Sequence, residues 1–302
     1  MNSARGVFAL GAAAALASCQ TTPALTDFPD LLIMNGTLYD GSGADGRSAS
    51  VLIDDGKIVR TISENEPLPF ARKIIDARGL VVAPGFIDPH THAASDLASD
   101  DERRRANLAF AFQGVTTVVV GNDGSGAPDI AAQAIAARED GIGTNVAYLA
   151  GFGPIRETVI GDANRAPMDA EIDEMRKLTR QAMCEGAWGL STGLYYVPQN
   201  YAASDELTAL AKEVSALGGY YDTHMRDEST YNITVEGALA ETLEIGRDAQ
   251  IPVHIAHIKA LGPAVWGHSA RMIAMIEAAQ AAGQRVTADQ YPWEASGTRV
   301  SH

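Results

Sequence analysis

The chain has 302 residues, enough for one or two domains at about 150 residues each. Hydrophobic residues make up 46% and charged residues 20%, a globular balance that excludes disorder, collagen and coiled coil as the main architecture. With 23 Lys and Arg against 38 Asp and Glu, the net charge is −15; so acidic a surface repels phosphate backbones, and nucleic acid is not an expected partner.

The N-terminus reads as a targeting segment. Arg5 and the terminal amine form a small positive region, and residues 7–17 are an apolar run of eleven. A bilayer span needs about 20, so the run fits a secretory signal. Leu16-Ala17-Ser18-Cys19 follows and resembles a bacterial lipobox. The expectation is a signal peptide over 1–18, cleavage before Cys19, acylation of that cysteine and a tether over 19–28. Gln20, rather than Asp, follows the cysteine, which points to a lipoprotein of the cell envelope on the periplasmic side of the outer membrane. Processing leaves Cys184 as the lone thiol, which cannot form an internal disulfide; within a helical pattern over 171–185 it reads as buried and structural.

Residues 29–83 look like a small β-domain. Apolar segments at 31–34, 51–53, 57–62, 74–75 and 80–83 lack helical periodicity, and Asp55-Gly56 is a strong hairpin turn. From Pro84 the pattern changes to β–α units. Short apolar strands fall at 86–87, 116–120, 146–150, 189–191, 220–223, 253–256 and 286–288. Helical patterns occupy 102–113, 129–138, 171–185, 205–217, 235–248 and 271–282, with Ser204 as an N-cap ahead of Asp205 and Glu206. Such repetition implies a parallel sheet. Seven strands about 30 residues apart suggest a (β/α)₈ barrel over 84–302 with seven of its eight strands, and a doubly wound sheet is the alternative. No Gly-x-Gly-x-x-Gly follows the first strand, so nothing favours a dinucleotide.

Histidines gather at the strand ends. Asp88-Pro-His-Thr-His92 delivers His90 and His92 to one point, because side chains two apart in extended chain face the same way. His224 ends the fifth strand and His257 the sixth. In a parallel barrel those ends share the rim where catalytic groups collect, and clustered imidazoles suit a transition metal. Asp123, after the second strand, supplies a carboxylate that bridges or completes such a site. His254, three residues before His257, faces the opposite side of a regular strand and reads as structural; His268 and His302 read as bystanders.

These residues carry a family resemblance. The stretch 79–92, Gly-Leu-Val-Val-Ala-Pro-Gly-Phe-Ile-Asp-Pro-His-Thr-His, resembles the entry motif of the amidohydrolase superfamily. The preceding β-zone resembles the partial β-sandwich that flanks its metal-dependent TIM barrel. Gly189-Leu-Ser-Thr-Gly-Leu194, Thr223-His-Met-Arg-Asp-Glu228 and Tyr291-Pro292 resemble the narrower N-acyl-D-amino-acid deacylase (D-aminoacylase) branch. The resemblance implies one or two Zn²⁺ ions held by His90 and His92 at one position and His224 and His257 at the other, with Asp123 bridging where D-aminoacylases carry a cysteine. It implies that Tyr196, Lys259 and Tyr291 contact an N-acyl amino acid substrate. The implied reaction is hydrolysis of a non-peptide C–N bond by metal-bound hydroxide attacking the amide carbonyl, most readily in an N-acyl-D-amino acid. A dipeptidase or cyclic amidase of the same superfamily, or a non-catalytic lipid-anchored binding protein, is the alternative. Two departures stand out. The aspartate that the resemblance places on an eighth strand as general base falls beyond residue 302, so the chain reads as a truncation or fragment of reduced activity, with Asp289 a poor substitute. Phe152 stands where D-aminoacylases tend to have His.

Overall fold

The computed structural model describes residues 28–298, which divide between Pro84 and Gly85 into two compact units. The first is a five-stranded sheet: β1 (Leu31–Leu38), β2 (Arg47–Asp54), β3 (Lys57–Ser63), β4 (Lys73–Asp76) and β5 (Val81–Val82). Its order is β3-β2-β1-β4, with β5 also on β1. β2 and β3 are antiparallel and turn at Asp55-Gly56, whose φ angles of 48° and 69° are those a tight hairpin needs. Alternation along β1 sends Leu32 to one small core with Leu52 and Ile62 and Ile33 to another with Ala49 and Val51, and a register shift between Ile33 and Gly36 brings Leu38 to the second.

The second unit carries seven parallel strands: β6 (Phe86–Asp88), β7 (Val115–Val120), β8 (Asn145–Gly151), β9 (Gly189–Gly193), β10 (Tyr220–His224), β11 (Val253–Ile255) and β12 (Val286–Ala288). Each pairs with its predecessor, so the sheet order follows the chain order without reversal. A doubly wound sheet reverses at a switch point; a barrel winds in one direction. The sheet also curls, since His90 after the first of these strands and His257 after the sixth have ring centroids 4.8 Å apart. These seven strands therefore form most of a TIM barrel.

Nine helices are described: α1 (Ala94–Leu97), α2 (Glu102–Arg105), α3 (Leu108–Ala111), α4 (Ile130–Asp140), α5 (Phe152–Ile160), α6 (Asp169–Cys184), α7 (Ser204–Ala216), α8 (Val235–Asp248) and α9 (Ser269–Ala281). Leu190, Tyr221, Val253 and Ile255 of the strands are buried with Met175, Leu207, Leu210 and Leu239 of the helices in one core. Alternate strand residues Ser191, Asp222, His254 and Thr287 lie side by side in register across β9 to β12. The barrel thus has an apolar outer layer under its helices and a polar row one position along.

Four local expectations change. The helical pattern over 102–113 is two short helices, because Asn107 takes a left-handed φ of 49° and gives its side-chain amide to Thr144. Residues 152–160, outside the helical patterns above, form α5 with Pro154 in its first turn, where proline's missing N–H has no helical partner. Ser204 is not the N-cap of α7: Ala203 holds that position, and the Ser204 hydroxyl donates to Glu241. Cys184 is exposed, not buried. The inward stripe of α6 is Met175, Thr179 and Ala182, and Cys184, two residues past Ala182, is turned about 200° away from it. No described helix is long and apolar enough to cross a membrane. Cys19 and His302 lie outside the described residues.

Candidate metal centre

Asp123 is the hub of the rim. It follows β7 with a left-handed φ of 55°, and its carboxylate meets four histidines. Oδ1 lies 3.5 Å from His90 Nε2, 3.6 Å from His224 Nδ1 and 3.7 Å from His257 Nε2; Oδ2 lies 3.5 Å from His92 Nε2. The ligating atoms of His90, His92 and Asp123 all lie within 4.8 Å of one another, and so do those of Asp123, His224 and His257. His92 is exposed, while the other four are buried or nearly so.

The donors fit a divalent cation. His90 Nε2 and Asp123 Oδ1, which face each other, are buried without a hydrogen-bond partner, a cost that a coordinated ion removes. Burial lowers the pKa of His90 to about 4 despite the attraction of Asp123, which favours the neutral form a metal needs. Burial alone would raise Asp123, but His224 and His257 hold its carboxyl well below the usual range. Burial alone would lower His257, yet Asp123 and Glu228 hold it up, to about 9.

Two buried side chains support this rim from below. Asn122 accepts from the Thr91 N–H at 3.3 Å and donates to the Pro89 carbonyl at 3.1 Å, clamping the loop that carries His90 and His92. It also donates to Asp222 at 3.3 Å. Burial pushes Asp222 up to about 7, although the charge of His254 opposes the shift. His254 sits outside the histidine cluster: Nδ1 pairs with Thr287 and Nε2 with Asp289, each at 2.8 Å. Strand alternation does not place it opposite His257, however. β11 ends at Ile255 and His257 has a left-handed φ of 34°, so the His254 ring and the His257 backbone N–H both reach Asp289.

The remaining residues of interest gather on the same side. The Tyr196 hydroxyl is 3.4 Å from His224 Nδ1, and burial with the nearby Asp123 charge pushes its pKa up to about 12. The Tyr291 ring centroid is 6.5 Å from that of His257, and Lys259 Nζ lies 5.6 Å from the Tyr291 centroid. Lys259 Nζ also lies 2.8 Å from His257 Nδ1 and donates to Glu228 at 2.5 Å. Glu228 is buried and stands 3.3 Å from His257 Nδ1. Glu228 closes the stretch Thr223–Glu228 that carries His224, but nothing in that stretch marks it as a site residue, because its partner Lys259 lies 31 positions away in the chain. His268 pairs with Glu236, away from these residues. Phe152 is wholly buried in the main core.

The sequence profile of the amidohydrolase family matches residues 73–297. The chain belongs to that family. This amidohydrolase is 38% identical to a D-aminoacylase of Alcaligenes xylosoxydans over 90% of its own length and 59% of the relative's. It is 34% identical to an N-acyl-D-aspartate deacylase of the same organism, over 92% of the chain and 58% of the relative. Its fold superposes with a TM-score of 0.82 and 33% identity on an N-acyl-D-glutamate deacylase of Bordetella bronchiseptica, crystallised with zinc and a phosphonate mimic of the tetrahedral intermediate; 88% of this chain and 59% of that one are covered. The chain thus spans a little under 60% of the length of the relatives it matches.

Proposed function

We propose that this amidohydrolase is a zinc-dependent hydrolase of C–N bonds other than peptide bonds, acting on N-acyl-D-amino acids. One observation carries the reading: four histidines from the ends of three strands meet on the single carboxylate of Asp123. His90 and His92 would hold one ion and His224 and His257 the other, with Asp123 shared. Zinc held there supplies a Lewis acid and lowers the pKa of water toward about 7. Lys259, anchored by Glu228, and the Tyr291 phenol stand where a substrate carbonyl or carboxylate would be gripped. Tyr196, with its pKa near 12, stays protonated at neutral pH and serves as a donor beside His224. Asp289 has both oxygens engaged, by His254 and by the His257 N–H, so it is poorly placed to take a proton from water. That role goes to the aspartate that the family resemblance places on an eighth strand.

The assay is amine release from N-acetyl-D- and N-acetyl-L-amino acids by the zinc-loaded protein. Calorimetry beside it is expected to show zinc-dependent binding that prefers the D form to the L form, lost in Asp123→Ala. Zinc binding with neither turnover of nor preference for an N-acyl-D-amino acid refutes the substrate assignment, and absence of zinc binding refutes the metal assignment. We further propose, from Leu16-Ala17-Ser18-Cys19, a lipid anchor on Cys19 in the bacterial envelope. Mass spectrometry of the mature N-terminus should find an acylated cysteine, and an unmodified Cys19 rules the anchor out.

A further inference from the structure

Asp123 is the one donor common to both histidine groups, yet its backbone is in the left-handed region at φ 55°, which residues with a β-carbon enter at a cost. Gln199, in a 3₁₀ turn (Gln199–Tyr201) after β9, lies against that backbone and is 7% exposed. Its side-chain amide is used at both ends. Nε2 donates to the Asp123 carbonyl oxygen at 3.0 Å, and Oε1 accepts from the Gly193 N–H at 2.8 Å. The surroundings leave no slack. A β-carbon on Gly193 would run into the Asp123 carbonyl, and one on Gly124 would run into the Gln199 amide. The amide therefore ties the left-handed turn after β7 to the end of β9, two strands away in the sheet.

We infer that Gln199 is a positioning residue for the shared metal ligand. Resting on the metal reading above, the inference is that Gln199 holds the Asp123 carbonyl down on Gly193, so that the carboxylate is presented to His90, His92, His224 and His257 at once. Without the amide, the Asp123 peptide is free to rotate toward an ordinary φ and carry the carboxylate off the common point. A purely structural staple would affect stability and leave the donors' affinity unchanged. A positioning role makes zinc affinity fall in protein that is still folded.

Two variants separate these cases. Gln199→Met keeps the length and removes both hydrogen bonds. Gln199→Glu keeps the acceptor for Gly193 and sets an oxygen against the Asp123 carbonyl. Zinc dissociation constants are measured by chelator competition on the folded fraction, beside the melting temperature of metal-free protein. Both variants are expected to bind zinc roughly 10–100-fold more weakly, the usual loss when an outer-shell partner is removed. If Gln199→Met does not fold, Gln199→Glu decides. Parental zinc affinity in folded variant, whatever its melting temperature, overturns the inference alone. A parent protein that binds no zinc overturns the metal reading and this inference with it.

Discussion

Asp222 is the residue whose surroundings fit its ionised form least. It is fully buried; one oxygen accepts from Asn122, and the other has no hydrogen-bond partner. Burial raises its folded pKa to about 7 from an ordinary 3.8. For a carboxyl whose folded pKa lies above its unfolded value, the unfolded chain loses its proton first. Stability therefore falls as pH rises between those two values and is level above them. Asp222→Asn keeps the acceptor for Asn122 and removes the titration. In metal-free protein its urea midpoint should gain on the parent's as pH goes from about 4 to 8. A gap that stays constant over that range would show that Asp222 does not carry the shift.

At the scale of elements, the helices after β8 and β9 are joined by a buried ion pair. Arg156 of α5 and Glu206 of α7 are 3.0 Å apart, with side chains 0% and 2% exposed. Arg156 also donates to the Ala163 and Arg165 carbonyls and so pins the α5–α6 connection. Such a pair need not stabilise more than apolar packing would, but removing one partner strands the other. Arg156→Ala leaves Glu206 buried and unpaired and frees two carbonyls, and should cost about 3–5 kcal/mol in urea unfolding. Exposed pairs such as Lys177–Glu174 on α6 should cost under about 1 kcal/mol when broken. Equal effects at the two sites would refute the ranking.

For the whole molecule, the centre is a convergence of distant chain segments. Its donors come from the ends of β6, β7, β10 and β11, so an ion bound there favours only the chain in which those ends have met. Zinc at a hundredfold excess over its dissociation constant should stabilise the fold by about 2.7 kcal/mol. The melting temperature should rise with zinc, return with chelator, and respond to neither in Asp123→Ala. A zinc-induced rise retained by that variant would place the stabilising ion elsewhere.

The strand positions of the barrel were legible because parallel strands covered on both faces read as short apolar runs between helical patterns. Asp55-Gly56 was legible because a tight hairpin demands positive φ at both of its residues. His90, His92, His224 and His257 stood out because imidazoles are scarce in this chain and four fell at strand ends. Three things depended on three-dimensional proximity. The exposure of Cys184 follows from which stripe of α6 is turned inward, and a helical pattern alone leaves that phase open by a residue or two. The direction of His257 relative to His254 depends on where β11 stops and His257 turns left-handed. The supports under the centre, Asn122, Glu228 and Gln199, are polar residues of ordinary type, and each acts on a partner 31 to 76 positions away in the chain. The sequence by itself determined the repeated β–α units and the kinds of donor at their strand ends, because both are written in local periodicity and residue type. Only the tertiary structure decided that the strands wind in one direction, that those donors share one carboxylate and which buried amide bonds its backbone, because a hydrogen bond between distant segments exists only once the sheet has curled and brought its strand ends together.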